Sequence, residues 1–121
     1  MSIEQPLTID RIAKRPGGRE VSLIITDHLS WEGHEDRHQE LMLHKLGNYV
    51  AFVESGRVLE EYPDAGEYPV WIEVVAQHSL TNRAIDFFLN VRAALSEKGL
   101  RFDVKAIDES GRVSASMLPS A

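Results

Sequence analysis

Arg57-Val58-Leu59-Glu60-Glu61-Tyr62-Pro63-Asp64-Ala65-Gly66-Glu67-Tyr68-Pro69-Val70-Trp71-Ile72-Glu73-Val74-Val75 is the stretch on which the fold turns. Its second half is dense in β-branched and aromatic residues, the composition of a strand. Pro63-Asp64-Ala65-Gly66 carries turn residues, because proline presets φ and glycine accepts positive φ. The stretch therefore reads as a hairpin, with a short strand over 57–62 and a stronger one over 69–75. That reading makes this part of the sheet antiparallel.

Working back from Arg57, Met42, Leu43, Leu46, Tyr49, Val50 and Val53 recur at three- and four-residue spacing. They form the apolar stripe of a helix expected over 32–55. Ser30 or Gly33 is its expected cap, Glu32, Glu35 and Asp36 suit the positive end of its dipole, and Gly56 suits a left-handed stop. Before it, Val21, Leu23, Ile24 and Ile25 mark a strand over 20–27. Leu7 to Lys14, joined to that strand through Arg15-Pro16-Gly17-Gly18, completes an N-terminal hairpin.

Working forward from Val75, Thr81 is the expected N-cap of a second helix over 81–98, whose buried face is Ala84, Phe87, Phe88, Val91, Ala94 and Leu95. Phe102, Val104 and Ala106 then alternate with Arg101, Asp103 and Lys105, the pattern of a half-buried strand. Ser, Gly and Pro after Asp108 suggest a flexible tail. The expected architecture is α+β: a two-layer sandwich, ferredoxin-like (βαββαβ) with an additional N-terminal strand. Two helices are expected on one face of an antiparallel sheet. A single domain over 1–107 and a flexible tail over 108–121 follow.

The whole chain has 121 residues, enough for one core, and 43% apolar residues, ordinary for a globular domain. It carries a net charge of −6 with its 13 Lys and Arg scattered, so it lacks the basic stripe that phosphate contacts require. Nucleic acid and anionic membrane are not expected partners; another protein, or the chain itself, is. Cysteine is absent, which removes disulfides and thiolate metal sites. With no apolar run near the about 20 residues of a membrane span and no secretory pattern at the start, the expected location is cytoplasmic. No motif implies a cofactor, and none is expected.

Several segments resemble a family of small uncharacterised bacterial proteins, a domain of unknown function. The likeness rests on Ile9-Asp10-x-Ile12, on Asp27-His28-Leu29-x-Trp31, and on His38, Leu41, Lys45, Leu46, Asn48 and Tyr49. Phe52-Val53-Glu54-Ser55-Gly56 and Tyr62-Pro63-Asp64 extend it to roughly residues 7–106. The resemblance implies a fold and an origin, and it brings no functional residue with it.

Two local constellations carry chemistry. Asp27, His28, Trp31 and His38 would gather where the second strand meets the first helix, a frequent ligand position in α/β arrangements. His34-Glu35-Asp36-Arg37-His38 is literally H-E-x-x-H, which on a helix sets two imidazoles on one face for zinc, with the glutamate as general base. It lies in the first turns of a polar helix, with no third ligand apparent beyond His44 and Glu54 on the same helix. A solvated helix end is the simpler account.

A third feature is the acidic run Glu54, Glu60, Glu61, Asp64, Glu67 and Glu73, expected as a solvated face open to a basic partner. A fourth follows from strand alternation: if Val21, Leu23 and Ile25 face the helices, Ile24 joins Trp71 and Val75 on the open face as an interface patch. The expected function is a non-enzymatic protein-interaction or regulatory module, in one form immunity-type. A zinc hydrolase built on His34, Glu35 and His38 and a small-ligand binder at the Asp27/His28/Trp31 junction are the alternatives.

Overall fold

The computed structural model describes residues 11–14, 20–63, 66, 69–107 and 110–118. Its elements are β1 (Arg11–Lys14), β2 (Val21–Asp27), α1 (Glu35–Glu54), α2 (Arg57–Glu61), β3 (Trp71–Ala76), α3 (Asn82–Glu97), β4 (Arg101–Ile107) and β5 (Val113–Ser116). The expected Pro16-Gly17 turn, residues 7–10 of the first strand, and Asp64 and Ala65 of the second turn lie outside the described residues.

The class is α+β, but the sheet is mixed and its order is sequential, β1-β2-β3-β4-β5. β1 pairs antiparallel with β2, β2 and β3 are parallel, β3 and β4 are parallel, and β5 returns antiparallel along β4. The ferredoxin-like order and the antiparallel sheet expected above are therefore corrected. The cause sits in residues 57–62. Arg57–Glu61 is a short helix whose buried residue is Val58, while Leu59, Glu60 and Glu61 are exposed. Arg, Leu and Glu are good helix formers, and the two least exposed positions, Val58 and Tyr62, are four apart rather than two. With a helix rather than a strand over Arg57–Glu61, β2 reaches β3 by a helical crossover, and such a crossover joins parallel strands.

Gly56 makes this possible. Its φ of 83° stops α1 in the left-handed conformation and opens α2 at once. α3 ends through Gly99 (φ 80°) in a Schellman pattern, with the Leu100 N–H on the Leu95 carbonyl and the Gly99 N–H on that of Ser96. Leu95 and Leu100, which that pattern brings together, are both buried. Thr81 caps α3 as expected, accepting from the Ala84 N–H at 3.1 Å. α1 departs from expectation, since its N-cap is His34 and no side chain caps it.

Both crossovers, β2 to β3 and β3 to β4, step in the same direction across the sheet, and right-handed connections then put their helices on one face. Val21, Leu23, Ile25, Ile72, Val74, Ala76, Phe102 and Val104 share one core with Met42, Leu46 and Tyr49 of α1 and with Ala84, Phe87, Phe88 and Leu95 of α3. The registers Leu23↔Ile72, Ile25↔Val74 and Val74↔Val104 align these residues across the three strands. The other face carries Ser22, Ile24, Thr26, Trp71, Glu73, Val75, Arg101, Asp103 and Lys105.

The segment after Asp108, expected as a flexible tail, requires a second correction. Val113–Ser116 pairs with β4, the Met117 N–H bonds the Val104 carbonyl at 2.7 Å, and Leu118 is buried in the main core. A polar composition concealed a short edge strand, because the apolar contacts described for this segment come from Met117 and Leu118 just beyond it.

Candidate ligand-binding site at the β2–α1 junction

Alternation along β2 places Asp27 on the helix side of the sheet, at the carboxyl end of its strand. There it meets His38, one turn into α1, with Oδ2 and Nε2 2.7 Å apart and the two side chains 0% and 1% exposed. The His38 Nδ1–H donates to the Ser30 carbonyl at 3.2 Å. A carbonyl only accepts, so Nδ1 carries a proton. Nε2 and Oδ2 must then share one further proton, as an imidazolium–carboxylate pair or as a neutral imidazole facing a carboxylic acid. Either way the pair carries no net charge, which is what its burial demands. The second Asp27 oxygen accepts from the Leu29 N–H at 3.2 Å and closes the turn that leaves the strand.

Trp31 lies flat on the imidazole, with ring centroids 3.8 Å apart and planes 12° from parallel. Its other aromatic neighbours are Phe88, edge-on at 5.4 Å, and Phe87 at 6.0 Å, so the indole joins α1 and α3 in one aromatic stack. The indole is fully buried, and its N–H finds no hydrogen-bond acceptor among the described residues. The start of α1 is tied to α3 as well. The Thr81 hydroxyl donates to Glu35 at 2.6 Å, and Arg83 pairs with Asp36.

Above His38 opens a cleft of about 370 Å³, bordered by Leu29, Ser30, His34, Arg37 and Leu41. Asp27, Trp31 and His38 are thus brought together, whereas His28 is exposed and does not line the cleft. Both ring nitrogens of His38 are engaged within the protein, so the imidazole serves as a fixed floor. To act as a general base it would first have to leave Asp27 or Ser30.

The same bonds bear on the H-E-x-x-H spacing. His38 offers no lone pair to a metal while these contacts hold, Glu35 is hydrogen-bonded to Thr81, and His34 is exposed at the helix cap. Among the described residues, no group of three or more His, Asp or Glu side chains is placed to hold a metal ion.

On the opposite sheet face, Ile24 and Trp71 are half-buried and Val75 is 8% exposed. The interface residues named above therefore do share that face, but Val75 is largely covered. Lys105, its register partner, reaches back to Glu73, with Nζ 3.4 Å from Oε2. Ser22 donates to the other Glu73 oxygen at 3.0 Å, and the Trp71 indole donates to Glu20 at 3.0 Å. Glu73 consequently leaves the acidic surface expected for it. Glu54, Glu60 and Glu61 stay exposed, while Asp64 and Glu67 lie outside the described residues.

The Ser22–Glu73–Lys105 row escaped sequence reasoning because it needs the parallel registers Ile24↔Glu73 and Val75↔Lys105, which the hairpin reading excluded. Lys45 on α1, its ammonium 5.6 Å from the Tyr49 ring centre, is buried; it stands among the residues of the family likeness and four before Tyr49, but neither signal marks a lysine as buried.

No helix among the described residues is long and apolar enough to cross a membrane. Comparison with curated proteins and with solved structures finds no significant match. A family model does match, over residues 1–108, and the chain belongs to that family of unknown function (DUF6572).

Proposed function

We propose that the protein is a non-enzymatic interaction module that associates with a second copy of itself through the sheet face opposite the helices. The supporting observation is the charge of that face. The chain as a whole carries −6, so two copies repel one another over most of their surfaces. On this face, however, Arg11, Arg101 and Lys105 are matched in number by Glu20, Glu73 and Asp103, as the registers and the Trp71–Glu20 bond place them. The central Glu73 and Lys105 already neutralise each other. Half-buried Ile24 and Trp71 supply apolar area beside them. A face without net charge and with an aromatic anchor suits a two-fold contact, in which each patch meets its own copy.

Light scattering after size exclusion tests this at about 10 μM, within the range of a modest interface. The expected result is a dimer for the wild type and a monomer for both Trp71→Glu and Ile24→Glu. A wild-type monomer, or a dimer indifferent to both substitutions, overturns the proposal.

A further inference from the structure

A second cavity, of about 530 Å³, opens at the outer edge of β4. Leu89 and Ala93 of α3 line it from the helix side, Trp71 and Arg101 from the opposite sheet face, and Ser116 and Leu118 from the end of β5. A space reached from both faces at once lies beside the sheet. β5 does not fill it: the Leu118 N–H turns back onto the Ser116 hydroxyl at 3.2 Å and the Leu118 side chain enters the core. Pairing along β4 therefore ends at the bond from the Met117 N–H to the Val104 carbonyl. Phe102, also in the lining, is the residue this leaves open. The Arg101 N–H donates to the Val70 carbonyl at 3.0 Å, and successive backbone groups along a strand point to opposite sides, so the Phe102 N–H and carbonyl point away from β3. At Val104 the same outward groups are taken, the carbonyl by Met117 and the N–H by Asp103 Oδ1 at 2.9 Å. At Phe102 neither has a partner among the described residues.

From this combination we infer that the open stretch of β4 takes up a short extended peptide segment of another protein, running antiparallel to β4 in line with β5. One peptide residue exchanges both backbone bonds with Phe102, as a hydrogen-bonded pair of an antiparallel ladder does. Directly opposed residues share a sheet face, so the side chain of that residue falls on the helix side, against Leu89, Ala93 and Leu118. The backbone donor and acceptor thus specify a strand, and the apolar walls specify a side chain such as leucine. Phe102 and Leu118 belong to the main core, so this wall stands before a peptide arrives. Trp71, Arg101 and Asp103 border both the cavity and the proposed dimer face, whereas Ile24 does not line the cavity. The inference does not depend on dimerisation, and Ile24→Glu separates the two readings.

The probe is the capped, uncharged peptide acetyl-Thr-Val-Leu-Val-Thr-amide, titrated to about 5 mM because a short segment that orders as it binds is held in the millimolar range. Amide exchange of the whole chain, read by NMR, reports its binding. In the free protein the Phe102 amide should exchange fast, whereas that of Asp103, bonded to β3, should be slow. At about five times Kd the peptide should slow the Phe102 amide about sixfold and leave that of Asp103 unchanged. N-methylation at the leucine removes the backbone donor, and alanine in its place removes the apolar side chain; each should weaken binding about tenfold or more. Ala93→Trp, at an exposed helix position, fills the cavity and should abolish binding, while Ile24→Glu should keep it. A Phe102 amide already protected in the free chain, no saturation with the wild type, equal binding of the N-methylated peptide, or full binding by Ala93→Trp would each overturn the inference.

Discussion

One proton shared between Asp27 and His38 fixes what substitutions there should do. Replacing Asp27 with Ala leaves Nε2 of a buried imidazole without a partner and frees the Leu29 N–H; removing one member of a buried pair costs about 3–5 kcal/mol. Asp27→Asn keeps both contacts, because the amide donates to a neutral imidazole and its oxygen still accepts from Leu29, so the loss should be nearer about 1 kcal/mol. Urea denaturation of both variants measures the difference, and an Asp27→Ala loss below about 1 kcal/mol would show that the pair is not structural. Phe88, fully buried between Trp31 and Phe102 at 5.4 and 5.9 Å, belongs to the same scale. Phe88→Ala removes contacts to both neighbours and opens a cavity, an expected cost of about 3–5 kcal/mol by the same measurement.

Among the elements, two glycines isolate what backbone conformation contributes. An added Cβ meets nothing within 4 Å at either Gly47 or Gly99, so packing does not distinguish them. Gly47 lies inside α1, where alanine loses less chain entropy on folding, and Gly47→Ala should stabilise by about 0.5–1 kcal/mol. Gly99 sits at φ 80° and carries the stop of α3, so Gly99→Ala should destabilise by about 1 kcal/mol. Thermal melts of the pair should move in opposite directions, and a shift of the same sign would contradict this account. Local signals of this kind were legible in the sequence: both long helices, the Thr81 cap and the Gly56 stop fall within a few residues of expectation. Arg57–Glu61 was not, since five residues give too little periodicity to outweigh a strong neighbouring strand and an obvious turn. That one element changed the order and direction of the whole sheet. The helix-side position of Asp27 survived the error, because alternation along β2 does not depend on which strand lies beside it.

For the molecule as a whole, the C-terminal segment decides how far the domain extends. Composition alone marks residues after Asp108 as a tail, yet β5 closes the β4 edge and Leu118 enters the core that α3 and the sheet enclose. A chain ending at Gly111 should therefore lose stability by at least about 2 kcal/mol, the scale of uncovering one buried leucine. It should also expose the outer backbone of β4, and an open edge of that kind invites strand pairing between molecules. Hydrogen exchange read by mass spectrometry separates these consequences from general unfolding. Amides of Lys105 to Ile107, which β5 covers, should exchange faster in the shortened chain. Those of Leu23 to Ile25 and Ile72 to Val74, paired inside the sheet, should keep most of their protection. An unchanged melting temperature with unchanged exchange along β4 would mean that the domain is complete without its last strand.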